Sequence, residues 1–130
     1  MSLEQFAMFE ENLANDIKEV EYQTESQFSF SKDESEICCK IIVGIYNQDK
    51  PLAKSELRSY YKIKPESIDT LRDGKDIVFN PALLVQFASL CYGSMRGVLF
   101  AKTMNTPLNH FVLPPVYFNR IIDKAFVVKG

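Results

Sequence analysis

The chain reads as an α+β domain: an antiparallel β-sheet of three to four strands, then a long helix, a Pro-rich crossover loop and a short second helix. Two patterns predict this order. Period-two alternation runs through three consecutive segments between residues 19 and 64, and one apolar stretch opens on Asn80-Pro81 and continues to about Thr103. Alternation puts one set of side chains on each face of a half-buried strand, whereas a long apolar run opened by an N-cap and a first-turn proline is a helix. With 130 residues and 46% hydrophobic content, the chain suffices for one domain, 1–130, with a single core.

At the start, Leu3, Phe6, Phe9, Leu13 and Ile17 recur at steps of three and four, with Glu4, Glu10, Glu11 and Asn12 between them. This spacing predicts a short amphipathic helix; a leading strand over part of it is the competing reading. The period then becomes two. Val20, Tyr22, Thr24, Ser26, Phe28 and Phe30 fall on one face, opposite Glu19, Glu21, Gln23, Glu25, Gln27 and Ser29. After a polar turn at 31–36, Ile37, Cys39, Ile41, Val43 and Ile45 share a face, and after 47–51 Ala53, Ser55, Leu57, Ser59, Tyr61 and Ile63 alternate with charged residues. Three strands with short polar turns form a meander.

Asp73-Gly74 predicts a small hairpin or a fourth strand before the long helix. Asn105 and Pro107 stop that helix. The double proline Pro114-Pro115 removes two backbone donors from the loop at 107–116, so that loop can join neither a helix nor a sheet interior. A final short helix is predicted over 118–128 through Ile121, Ile122, Ala125 and Phe126.

A net charge of -2 and a pI near 5.4 argue against a sequence-independent phosphate binder, so no nucleic acid is expected as a partner. Three cysteines, two adjacent, make no disulfide framework, and the acidic opening carries no basic leader, which points to a reducing, cytoplasmic setting. Residues 81–101 are apolar enough to suggest a membrane span, but Gln86, Ser89, Tyr92, Ser94 and Arg96 dilute them. The expectation is a helix buried on most sides by protein, without stable membrane insertion.

No constellation supports an enzyme. Cys38 and Cys39 are strand neighbours facing opposite ways, and His110 is the only histidine, so neither a metal site nor a catalytic base is expected. No phosphate-cradling glycine loop indicates a cofactor. Ser89, Gly93, Gly97 and Ala101, four residues apart, form a stripe of small side chains along the long helix. Each glycine there costs roughly 1 kcal/mol relative to alanine, so close packing should compensate, against the sheet or at a subunit interface. Glu19, Glu21 and Glu25 line one strand face, as a docking strip for a basic partner or as its solvated side. Tyr60, Phe111, Leu113, Val116 and Phe118 are candidates for an apolar groove; the alternative is a loop that closes the core.

The element order, the Asn80-Pro81 start, the helix through LCYGSMRGVLFAKTMNTP and the following FVLPPVYFNRI together resemble the SecB-like export chaperone family. The family's loop ends in a pattern like L-x-P-V-x-F-D, which stands here as Leu113, Pro115, Val116, Phe118 and Asn119, with asparagine in the aspartate position. The resemblance implies a homotetramer, a dimer of dimers with the long helices sandwiched between sheets. It implies an ATP-independent chaperone, without cofactor, that holds unfolded polypeptides in hydrophobic grooves for protein export or guards a dedicated client such as an antitoxin. By position the groove would use Tyr60, Phe111, Leu113, Val116 and Phe118, with Ile122 and Phe126 after the loop. SecA would dock on the acidic sheet face; Lys54, Arg58, Lys62 and Lys64 make the third strand basic, a departure from that pattern. The alternative is an oligomeric scaffold of the same fold without chaperone activity.

Overall fold

The computed structural model describes residues 2–13, 19–110 and 113–130. In chain order the elements are β1 (Ser2–Met8), β2 (Glu21–Ser31), β3 (Glu36–Asn47), β4 (Lys50–Lys62), α1 (Pro65–Leu71), β5 (Arg72–Asp73), β6 (Asp76–Phe79), α2 (Pro81–Lys102) and β7 (Phe126–Val128). Single 3-10 turns occur at Glu10–Asn12, Pro107–His110 and Phe118–Arg120. The fold is α+β, as the sequence predicts.

Strands β2, β3 and β4 form the expected meander, and the main sheet has the order β1-β4-β3-β2. The pairing sets Ile37 beside Tyr61, Cys39 beside Ser59, Ile41 beside Leu57 and Val43 beside Ser55. A one-residue slip would turn this apolar column outward, so the hydrophobic pattern itself fixes the register. Ser35 and Gln48, at the two meander turns, take left-handed φ values of 50° and 56°. Ser35 also ties its turn to the end of β4, donating its hydroxyl to the Ile63 carbonyl at 2.7 Å.

The N-terminal segment corrects the helix expectation. Ser2–Met8 is a strand antiparallel to β4, and Phe6 and Met8 pack against the main core. Phe6 belongs to a three-four spacing and to an alternating one alike. The open edge of β4 decides between them, because it satisfies backbone groups that a short isolated helix would hold only marginally. Ile17 lies outside the described residues.

Helix α2 begins as predicted. Asn80 Oδ1 accepts from the Leu83 amide at 2.9 Å, and Pro81 occupies the first turn. Leu84, Ala88, Cys91, Tyr92, Met95 and Leu99 form its buried row, laid on the inner face of the sheet. The Cys91 thiol points to the Cys39 and Leu57 carbonyls, each 3.8 Å away, and Phe87 stacks on Tyr61 with centroids 4.7 Å apart. By length and apolarity alone α2 could cross a membrane. At its end Thr103 donates to the Leu99 carbonyl at 2.7 Å, and Asn105 takes φ 63°.

The final helix expected over 118–128 is helical only at Phe118–Arg120. Phe126–Val128 is instead a strand, completing a second sheet in the order β5-β6-β7. Phe126 and Val128 pair with Phe79 and Ile77, because β6 offers an open edge and an aromatic followed by two β-branched residues fits a pleated surface. The predicted hairpin forms, with its turn at Gly74 and Lys75, one residue on from the expected Asp73-Gly74, and with Gly74 at φ 63° where a side chain would be strained.

Between α2 and β7 the chain retraces the helix in reverse. Leu113 borders the same cavity as Leu99, Phe118 meets the Tyr92 ring edge-on at 5.7 Å, Ile122 shares a groove with Leu84, and Phe126 stacks on Phe79 at 5.8 Å. Pro114-Pro115 lies on this path in the irregular conformation the sequence predicts. The Tyr92 hydroxyl donates to the Pro114 carbonyl at 2.6 Å.

Candidate functional site: an edge groove and an uncovered helix face

Among the described residues β2 pairs with β3 alone, which leaves its other edge without a strand partner along eleven residues. A free edge presents a row of backbone donors and acceptors to any extended chain that approaches it. Beside this edge the return segment leaves a groove of about 400 Å³, bounded by 24–28 of β2, by Leu84 and by 121–126. Phe28, Leu84, Ile122 and Phe126 give it an apolar floor, and Glu25, Gln27, Asp123 and Lys124 a polar rim. Phe28 and Phe126 hold their rings 6.5 Å apart across the floor. Backbone groups on one side and apolar side chains on the other are what an extended apolar segment needs.

The second feature is the side of α2 turned away from the sheet. Ser89, Gly93, Gly97 and Ala101 are all exposed there, and a Cβ built on either glycine meets nothing within 4 Å. The expectation that this stripe packs closely on the sheet is therefore not what the protomer forms. Leu90, Phe100 and Met104 stand beside it at 62%, 59% and 56% exposure. Small residues flanked by large exposed apolar ones make a surface on which another helix can lie close.

The residues singled out in the sequence do not converge on one place. Ile122 and Phe126 line the groove. Tyr60, 43% exposed, is on the outer face of the sheet opposite Cys38, away from them. Leu113 and Phe118 are corrections to an open groove: at 6% and 2% exposure both belong to the core. The reason is the packing of the return segment against Tyr92 and Leu99, which uses their apolar surface internally. Val116 is half-buried against the same core, and Phe111 lies outside the described residues. Glu19, Glu21 and Glu25 are exposed, with Glu21 and Glu25 on the outer face of the edge strand. On the neighbouring strands Glu56 lies 3.7 Å from Lys40 and 3.9 Å from Arg58.

Sequence reasoning missed Phe28 and Leu84 as groove residues, and Leu90, Phe100 and Met104 as the flanks of the helix face. Phe28 carried a usable signal, an aromatic on the strand whose other neighbours are polar. The exposed trio carried one too, since Leu90 and Phe100 fall outside the period of the buried row.

Burial favours the neutral form of several titratable groups nearby, while the hydrogen bond from the Cys39 thiol draws the Cys91 thiol down to about 7. The Tyr92 and Tyr61 phenols and the Cys38 thiol are all pushed up, chiefly by burial. The hydrogen bond with Cys91, together with burial, holds the Cys39 thiol well above the usual thiol range. A scan against protein-family models and a search of curated proteins return no match to the chain.

Proposed function

We propose that this protein is an ATP-independent chaperone of the SecB-like kind, which takes extended, non-native polypeptide segments onto the free edge of β2. The observation that carries the reading is the groove in which that edge runs beside Phe28, Leu84, Ile122 and Phe126. A folded polypeptide has its backbone paired and its apolar side chains buried, so only a non-native one offers both to the groove. Selection for the unfolded state follows without nucleotide or cofactor, by mass action. Burial of two or three apolar side chains at about 1.5–3 kcal/mol each, less the cost of ordering the segment, gives weak binding per groove. Several grooves joined on one client then raise the avidity by roughly 10²–10⁴.

Joining them is the role proposed for the exposed face of α2. Pairing of that face between copies covers the glycine stripe and its apolar flanks, and supports a homotetramer built as a dimer of dimers. Glu19, Glu21 and Glu25 are left as a strip for a basic docking partner, SecA in an export role; a dedicated client such as an antitoxin needs no such partner. The three free thiols suit a cytoplasmic setting. A scaffold of the same fold is the second reading, favoured by the burial of Leu113 and Phe118, which narrows the apolar surface left for a client.

The test is suppression of aggregation of a refolding client at stoichiometric ratio without nucleotide, with a peptide array alongside. Suppression together with retention of apolar extended peptides is expected. Neither effect, from a preparation of four-subunit mass, would replace the chaperone reading by the scaffold.

A further inference from the structure

A second cavity, of about 290 Å³, lies away from the groove, where the β2–β3 turn, α1 and the β5–β6 hairpin meet. Its floor is apolar: Ile68 and Ile77 belong to the core, and Phe30, half-buried, rests on Phe79 with centroids 5.5 Å apart. Its rim is cationic. Lys32 comes from the β2–β3 turn, and Arg72 and Lys75 from the β5–β6 hairpin; Asp69 is the carboxylate in the lining, and Asp76 lies within electrostatic reach of Lys32. Arg72 uses Nε on Asp69 at 3.5 Å, and Lys32 donates one N–H to the Lys129 carbonyl at 2.8 Å. Donors therefore remain on both: a guanidinium has further N–H groups beyond Nε, and an ammonium has three in all. A gathering of three cations around an apolar pocket in a chain of net charge -2 runs against the overall charge. Folding the β2–β3 turn onto the β5–β6 hairpin places like charges around one pocket, an arrangement that an anion relieves.

We propose that this cavity binds a small amphipathic carboxylate, of the medium-chain fatty acid or aryl-alkanoate class. The apolar body rests on Phe30, Ile68 and Ile77, and the carboxylate accepts hydrogen bonds at the Lys32, Arg72 and Lys75 rim. Charge alone does not define the ligand, because the floor offers an anion such as sulfate nothing to hydrate it. Apolarity alone does not either, because a neutral tail leaves the remaining N–H donors of the rim unused.

The probe is sodium octanoate, titrated into the isotopically labelled full chain and followed by amide chemical shifts, with octan-1-ol and sodium acetate as controls. Saturable shifts centred on Ile68, Asp69, Lys75 and Ile77, with octanoate at least about tenfold tighter than either control, are expected. Lys75→Glu and Lys32→Glu, both at exposed positions, should each weaken octanoate about tenfold or more, with their own shift changes confined to the cavity and the adjoining β6–β7 end. Octan-1-ol binding as tightly as octanoate would overturn the proposal, as would shifts centred on the β2 groove. Equal affinity of acetate, or unchanged octanoate affinity in both charge-reversed variants, would do the same.

Discussion

Replacing Gly93 and Gly97 together by leucine is expected to act in opposite directions on the protomer and on its assembly. In the protomer a side chain at either position enters open space, so nothing has to move. Each substitution then recovers most of the helix-propensity cost of glycine, and the pair should stabilise the isolated protomer by about 1.5 kcal/mol. In the proposed assembly two leucines one turn apart hold the partner helix away from the stripe. Contact is then lost at Leu90, Phe100 and Met104, each more than half exposed in the protomer and each contributing about 1–2 kcal/mol when covered. Summed over two copies that is enough to weaken association by roughly a thousandfold or more. Size-exclusion chromatography with light scattering reads the mass, and urea unfolding at high dilution reads the protomer. A variant that keeps the wild-type oligomeric mass would refute the reasoning, and so would a wild-type protein that is monomeric at micromolar concentration.

Ile121, 52% exposed at the groove, should be replaceable by aspartate with little change in unfolding midpoint but with about a tenfold loss in client affinity, measured by fluorescence anisotropy of a labelled extended peptide. Replacing Pro114 and Pro115 by alanine should weaken client binding more than assembly, since both prolines are exposed and only the Pro114 carbonyl is engaged, by Tyr92; equal losses would make the segment core alone. Asp76 gives a pH dependence. The Gly130 amide, with Lys129 and Lys32 nearby, holds its carboxyl below the ordinary carboxylate range, so its contribution is present above that range and disappears as pH falls through the lowered folded value. The protection factors of the Ile77 and Val128 amides, corrected for the intrinsic exchange rate, should therefore fall on acidification, and Asp76→Asn should lower them already at neutral pH and abolish that fall.

Where one physical signal dominated, the sequence was enough. The faces of β2, β3 and β4 follow from alternation, and the start of α2 from Asn80-Pro81, because each element there meets a requirement local to its own residues. β1 and β7 were not legible for the opposite reason. Each is a strand because a distant edge, that of β4 or of β6, offers it backbone partners, and no spacing within Phe6–Met8 or Phe126–Val128 records that edge. The same limit governs the site. Ile122 and Phe126 were found because they follow the proline segment, whereas Leu84 enters the groove only through the return of the chain along α2. Leu113 and Phe118 were read as groove wall from apolarity, which cannot distinguish a residue facing a client from one facing Tyr92.

The pairing of β7 with β6 gives the wall of the groove a mechanical character of its own. The segment after α2 is no tail; it is a chord, tied at one end to the last turn of α2 and at the other to the strand that immediately precedes the same helix. Leu113 and Phe118 pin the chord to the core part-way along, so the stretch left to give when a client enters the proposed groove is the exposed one at 123–125. Cutting the chord once, in the exposed stretch at 123–125, leaves the C-terminal piece held by its pairing with β6 and by Phe126 on Phe79. Such a nicked protein should elute as one particle under native conditions and come apart only in denaturant, while the proposed groove, its wall no longer continuous, should bind extended peptides more weakly.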